Sequence, residues 1–251
     1  MARQIDRLPA PKEARPTKVV VLSRSRKQVF ATESSTNMRV FEEALRSKYL
    51  DDSSKPYGKA EFDKWFAEYD AIMTAPQYFF DEFLEFYPDA KFIITDRDAD
   101  SWIKSVKSTI CELLRMVNSF PLSILRKTDP WLSAFCTLNC TLEEIIFHGK
   151  GSVAGIEDAK SDFVARQQQI QKLSSRPNVA VFRLEDGFSW EKLCPFLGHD
   201  IPSTPYPNAY GQSDFHARWA KVLRPKMWYA SLTILSALLI PTLSIWACYF
   251  A

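Results

Sequence analysis

The sequence predicts an α/β fold, a parallel sheet flanked by helices, with one C-terminal transmembrane helix behind it. Three observations carry that reading. Short β-branched runs alternate with helical patterns, which is how a parallel sheet covered on both faces is written. Each run is a continuous apolar stretch, as a strand buried on both sides requires. Finally, the stretch from Trp228 to Phe250 contains no charged residue.

The chain has 251 residues, 46% hydrophobic and 25% charged, so it can bury a sizeable core. Without the apolar tail roughly 200 residues remain, which suits a single α/β unit. Thirty-two Lys and Arg against thirty Asp and Glu give a net charge of +2. That balance argues against a nucleic-acid partner and makes any charge recognition a local matter. Five cysteines, Cys111, Cys136, Cys140, Cys194 and Cys248, lack the paired spacings and nearby histidines of a disulfide or zinc framework. No metal is expected, and a reducing compartment is the simplest setting.

Taken in order, residues 1–17 are charged and proline-rich without an apolar signal region, and read as a flexible lead-in. The domain spans 18–212. Its candidate strands are Lys18 to Leu22, Ala71 to Thr74, Lys91 to Thr95 and Asn178 to Phe182. Apolar residues at three-to-four spacing predict helices over Arg39 to Tyr49, Lys59 to Tyr69 and Tyr78 to Tyr87. The aromatic stripe Phe62, Trp65, Phe66 and Tyr69 is expected in the core. After Thr95 the chain is mainly helical, with Ser101 to Val117 capped by Asp100, then Trp131 to Phe147, Ile156 to Leu173 and Trp190 to Leu197. Asn139-Cys140-Thr141 matches a glycosylation sequon and is read as chance.

Residues 213–227 form a basic juxtamembrane segment and 228–250 the membrane anchor. At about 1.5 Å per residue the anchor is long enough to cross a hydrocarbon core of about 30 Å. Trp228 and Tyr229 at one end, and Trp246, Tyr249 and Phe250 at the other, suit the two interfaces. The competing reading is a buried core helix. Arg218, Lys221, Arg224 and Lys226 precede the span, so the positive-inside rule predicts a cytosolic N-terminal domain in a tail-anchored topology. The lipid bilayer is then a partner, with the endoplasmic reticulum as the expected membrane.

In a parallel α/β sheet, ligands bind beyond the carboxyl ends of the strands. The loop after Leu22 carries Ser23, Ser25, Arg26 and Lys27, hydroxyls and cations suited to an anion. It has no glycine, so the Walker pattern is absent and ATP hydrolysis is not expected. The loop after Thr95 leads straight into a helix. Arg97 stands at the strand end and Ser105 about two helical turns along, so both could reach one anionic group across the helix start.

This strand, Arg97, and a serine eight residues on resemble the site by which sulfotransferases hold the 3′-phosphate of 3′-phosphoadenylyl sulfate (PAPS). From Lys18 to Asn208 the chain resembles a fungal P-loop sulfotransferase-like family whose members often carry apolar tails. The matching stretches include Pro56-Tyr57-Gly58 with Phe62-Asp63-Lys64-Trp65, Tyr87-Pro88-Asp89-Ala90-Lys91, Arg97-Asp98 with Ser101-Trp102, and Glu185-Asp186-Gly187 with Trp190. The resemblance implies a PAPS cofactor held by Arg97, Ser105, Ser23, Ser25, Arg26 and Lys27, and a lipophilic small-molecule acceptor. The chain also departs from the family. Lys27-Gln28-Val29 replace the family's Thr-Gly-Thr, and Phe30 to Asn37 leave too little length for the helix and histidine that follow it there. Either the 5′-phosphosulfate cradle is defective, or the gene model or splice form has lost it. Of the remaining histidines, His148 in a polar loop is the candidate base, ahead of His199 and His216. Three readings follow: a membrane-anchored PAPS-dependent sulfotransferase, an inactive relative serving as a binding or scaffold protein, or another tailoring enzyme of fungal secondary metabolism.

Overall fold

The structure, a computed structural model, describes residues 3–8, 16–22, 34–73, 75–206 and 212–250. Four strands, β1 (Val19–Leu22), β2 (Ala71–Met73), β3 (Lys91–Asp96) and β4 (Val179–Arg183), form one parallel sheet in the order β2-β1-β3-β4. Each lies within a residue or so of its expected run, and helices flank the sheet as the alternation predicts. Val20 of β1 stands level with Ile72 on one side and Phe92 on the other, all three fully buried. Burial on both faces holds for β3, where Phe92, Ile93 and Ile94 are buried, whereas in β1 Val19 and Val21 are half-buried. Ala71 of β2 and Arg183 of β4 are exposed because each strand is an edge with one neighbour.

Eleven helices accompany the strands among the described residues: α1 (Ser35–Tyr49), α2 (Lys59–Phe66), α3 (Phe80–Phe86), α4 (Ala99–Val106), α5 (Glu112–Val117), α6 (Leu122–Leu125), α7 (Pro130–Ile146), α8 (Gly151–Ala154), α9 (Ile156–Leu173), α10 (Trp190–Leu197) and α11 (Gln212–Phe250). Helix α1 begins earlier than its apolar pattern because Ser34 caps it, accepting a bond from the Thr36 amide at 3.2 Å. The expected helix over Ser101 to Val117 is interrupted. A π-helical turn, Lys107–Cys111, separates α4 from α5, and such turns widen a helix where a side chain must be re-aimed. Gly198 ends α10 at φ 76°, the left-handed conformation that a side chain disfavours.

The aromatic stripe of α2 is the centre of the core. Phe62 is fully buried, with its ring 5.0 Å from Phe83, 5.1 Å from Phe79 and 5.9 Å from Tyr57. Truncating so well-packed an aromatic to alanine costs about 3–5 kcal/mol. Part of the lead-in expected to be flexible is docked on this core. Gln4–Arg7 form a 3₁₀ turn, Ile5 is buried, and Arg3 pairs with Glu61 at 2.7 Å. Asn139 is also buried, with its amide donating to the Phe135 carbonyl at 2.8 Å, so the sequon is not presented to solvent.

The basic segment 213–227 is not a loose stalk. It belongs to α11, whose Trp219, Leu223 and Ala230 are buried, with the Trp219 ring 4.8 Å from Phe135 of α7. Lys226 pairs with Asp129, the N-cap of α7, and lies 5.1 Å over the Trp131 ring. Beyond Ala230 the contacts give way to exposed side chains, Leu232, Leu235 and Leu239 among them. Among the described residues no helix is long and apolar enough to cross a membrane. Of the expected anchor, the side chains of 241–250 lie outside the described residues.

Burial of the Asp129 carboxyl works to raise its pKa. The Lys226 and Leu132 hydrogen bonds and the Lys226 charge together outweigh it, holding the group below the usual carboxylate range. A depressed folded-state pKa contributes stability that is present above the unfolded value of about 3.9 and is lost as pH falls through the folded one. Asp129→Asn is therefore expected to be less stable than the parent at pH 7, with the gap closing below about pH 4. Denaturant midpoints of both proteins at pH 7 and pH 3 measure it.

Candidate functional site

The order β2-β1-β3-β4 places consecutive strands on opposite sides of β1, so the crevice between the diverging connections lies beyond the carboxyl ends of β1 and β3. The first loop bordering it, with Ser23, Ser25, Arg26 and Lys27, lies outside the described residues. The second lies within them. β3 ends at Asp96, Arg97 follows half-buried, and Asp98 turns the chain into α4.

The cap of α4 is Asp98 and not Asp100. The Asp98 carboxylate accepts from the Ser101 amide at 2.8 Å. That hydrogen bond, more than the nearby Arg97 charge, holds its pKa below the usual range. Asp100 sits two residues past the cap, inside the first turn, and instead pairs with Lys160 of α9 at 2.5 Å. Two more groups secure the corner. Glu185, after β4, accepts from the Asp98 amide at 3.3 Å, and the Gln167 side-chain amide of α9 donates to both Asp96 and the Arg97 carbonyl. Trp102 of α4 stacks on Phe163 of α9 at 4.6 Å. Arg97 thus leaves a corner that the strand, the cap and α9 all fix.

Ser105 is buried and lines a cavity of about 300 Å³ between α4 and its π turn, α7 and α9. Trp102, Ile110, Leu142, Ile145 and Ile146 make its apolar wall. The π turn contributes Thr109, whose hydroxyl donates to the Ser105 carbonyl at 2.5 Å. Tyr49, Gln77 and Tyr78 complete it from the β2 side. Both Lys48 and Tyr49 hold the Tyr78 carbonyl, at 3.0 and 2.5 Å. Arg97 stands at the head of the helix on which Ser105 faces this space.

His148 follows α7 with φ 53°, and its Nε2 lies 2.8 Å from the Asp162 carboxylate. It does not line the cavity itself, but Asp162 does. The close packing of this turn depends on Gly155, where a Cβ would come within 2.4 Å of the Phe147 carbonyl oxygen. Among the described residues four thiols are free, and burial is the chief cause that raises the pKa of Cys111, Cys136 and Cys140, which makes them poor nucleophiles.

Sequence reasoning missed the part of the site that α9 supplies. Asp162, Arg166 and Gln169 border the cavity, yet in the sequence they sit in a polar, glutamine-rich helix that reads as a solvated face. The four-residue spacing of Asp162 and Arg166 is the one signal that could have grouped them, since it puts both on one face.

Comparison with known proteins adds two findings. A family model described as "Sulfotransferase domain" matches residues 25–215. "Ava biosynthesis cluster protein M" from Aspergillus versicolor is 27% identical over 203 residues, 76% of this chain and 76% of its own length.

Replacing Gln167 by leucine removes both donors that hold the Asp96–Arg97 corner. The expected cost is about 1–2 kcal/mol, because the acceptors lose an amide partner in a half-buried setting. Urea denaturation of Gln167→Leu against the parent checks it.

Proposed function

Because the chain belongs to the sulfotransferase-domain family, with the family model covering residues 25–215, we propose that it carries a sulfonate from PAPS to a hydroxyl of a small lipophilic acceptor. The observation that carries this reading is the strand-end arginine, fixed on three sides, with Ser105 eight residues on facing a ligand-sized cavity. These residues fit an anionic nucleotide. Arg97 offers a guanidinium fork suited to a phosphate, and Ser105 a hydroxyl on the same helix.

When bound, PAPS supplies the sulfonate, whose sulfur passes from the 5′-phosphate oxygen to the acceptor oxygen. The chain has three tasks. Arg97 and Ser105 hold the 3′-phosphate. Ser23, Ser25, Arg26 and Lys27 would serve the sulfonate end, their hydroxyls and cations offsetting the negative charge that develops on transfer. His148 takes the acceptor proton. Its pairing with Asp162, which lines the cavity, is the support for that role, since a carboxylate fixes the orientation of an imidazole.

A specific feature favours a second reading, a binding protein without transfer activity. Lys27-Gln28-Val29 offer no glycine where the backbone would have to wrap the 5′-phosphosulfate. A biosynthetic setting is part of the first reading, resting on the relative named for a biosynthesis cluster.

The membrane also belongs to the proposal. The second half of α11 is read as a tail anchor that keeps the domain in the cytosol, at the endoplasmic reticulum. Its support is the uncharged run from Trp228 to Phe250 and the exposed Trp228, Tyr229, Leu232, Leu235 and Leu239.

Two experiments test these assignments. Titration calorimetry of the detergent-solubilised full chain with adenosine 3′,5′-bisphosphate is expected to show binding. Arg97→Ala should weaken it by about ten-fold or more, the loss of a charged hydrogen-bonding partner. Absence of binding at millimolar nucleotide would sink the sulfotransferase reading. For the anchor, the full chain expressed in yeast should stay in the membrane pellet after alkaline carbonate washing, and a chain stopped after Ala230 should not. Equal solubility of the two would exclude the anchor.

A further inference from the structure

Arg166 stands on the cavity wall with its charge poorly compensated. Its guanidinium lies 5.2 Å over the Phe80 ring, and the carboxylate that pairs with it among the described residues, Asp81, is 3.8 Å from Nη1 and 76% exposed. At that distance and exposure the pair contributes little. Among the described residues Nη1 is buried without a hydrogen-bond partner, and so is Oε1 of Gln77. Both residues line the cavity and also a small pocket of about 30 Å³ beside it, at Thr95 of β3. Buried polar atoms without partners are rare, and where they border a cavity a ligand is a natural complement.

We infer that Arg166 is the specificity anchor of this cavity and that the acceptor is an aromatic or alicyclic hydroxy acid, whose carboxylate pairs with the guanidinium. The inference rests on the transfer reading above for the word acceptor, and on the cavity alone for the carboxylate. The fork has donors and no acceptors and carries a full positive charge, and an oxyanion answers both. The remainder of the ligand is apolar, to match Trp102, Ile110, Leu142 and Ile145. Such walls suit a ring system, with the hydroxyl of Ser105 left at the side of the cavity nearer Arg97. Asp162 opposes an anion least where it stands. Its side chain is 59% exposed at the rim and is engaged by His148 at 2.8 Å, whereas Arg166, one turn on, is only 23% exposed.

The test uses 6-hydroxy-2-naphthoate and 2-naphthol, a pair that differs by the carboxylate, titrated into the detergent-solubilised full chain by calorimetry. The acid is expected to bind at least about ten-fold tighter than the naphthol. Arg166→Gln should erase that preference and leave the 2-naphthol affinity within about two-fold, while Arg166→Lys keeps part of it. Adenosine 3′,5′-bisphosphate affinity should be unchanged in both variants. Equal binding of the two naphthalenes by the parent overturns the inference without reference to any variant. So does binding of neither, or a loss in Arg166→Gln that falls on the bisphosphate instead. If the acid binds through Arg166 but gains no sulfonate on incubation with PAPS, the anchor stands and the transfer reading falls.

Discussion

Parallel pairing of β1 with β2 on one side and β3 on the other is the constraint from which the rest of the molecule follows. Parallel neighbours cannot be joined by a tight turn, so every connection must be a crossover that travels back along the sheet, here through helices. Those helices then cover the apolar strands, and the Phe62 cluster packs where α2 and α3 meet beside the sheet. Pairing in one direction also gathers all the strand ends on one edge. Arg97 gains its position from that geometry before any ligand is considered.

Helix α9 ties this edge to the cavity. It is joined to the head of α4 by Gln167 on the Asp96–Arg97 corner, by the Lys160–Asp100 pair and by the Trp102–Phe163 stack. From the same helix Asp162 and Arg166 border the cavity. The group proposed to hold the nucleotide and the group proposed to select the acceptor therefore share one rigid support. Loosening α9 would disturb both, whereas a change confined to Arg166 leaves the strand-end corner in place.

The C-terminal helix shows a second use of shared groups. Asp129 caps α7 and at the same time pairs with Lys226, so the start of one helix fixes the approach of another. The basic residues read in the sequence as a topology signal share a helix that Trp219 seats on α7. A membrane-bound domain held in this way would have a defined orientation above the lipid.

What the sequence by itself determined was local and periodic. The strands, most helices, the aromatic core of α2 and Arg97 at a strand end were legible because apolar repeats and strand-to-helix transitions are written in neighbouring residues. So was the family resemblance. The tertiary structure decided what depends on residues far apart in the chain: Asp98 and not Asp100 as the cap, the docking of residues 219–230, the π turn at Thr109, and the meeting of Ser105 with Gln77 and Arg166 around one cavity. Charged and amide side chains on a polar helix look alike in sequence. Only packing shows which of them lose water and which keep a buried atom without a hydrogen bond among the described residues, and that separates Arg166 from the solvated residues around it.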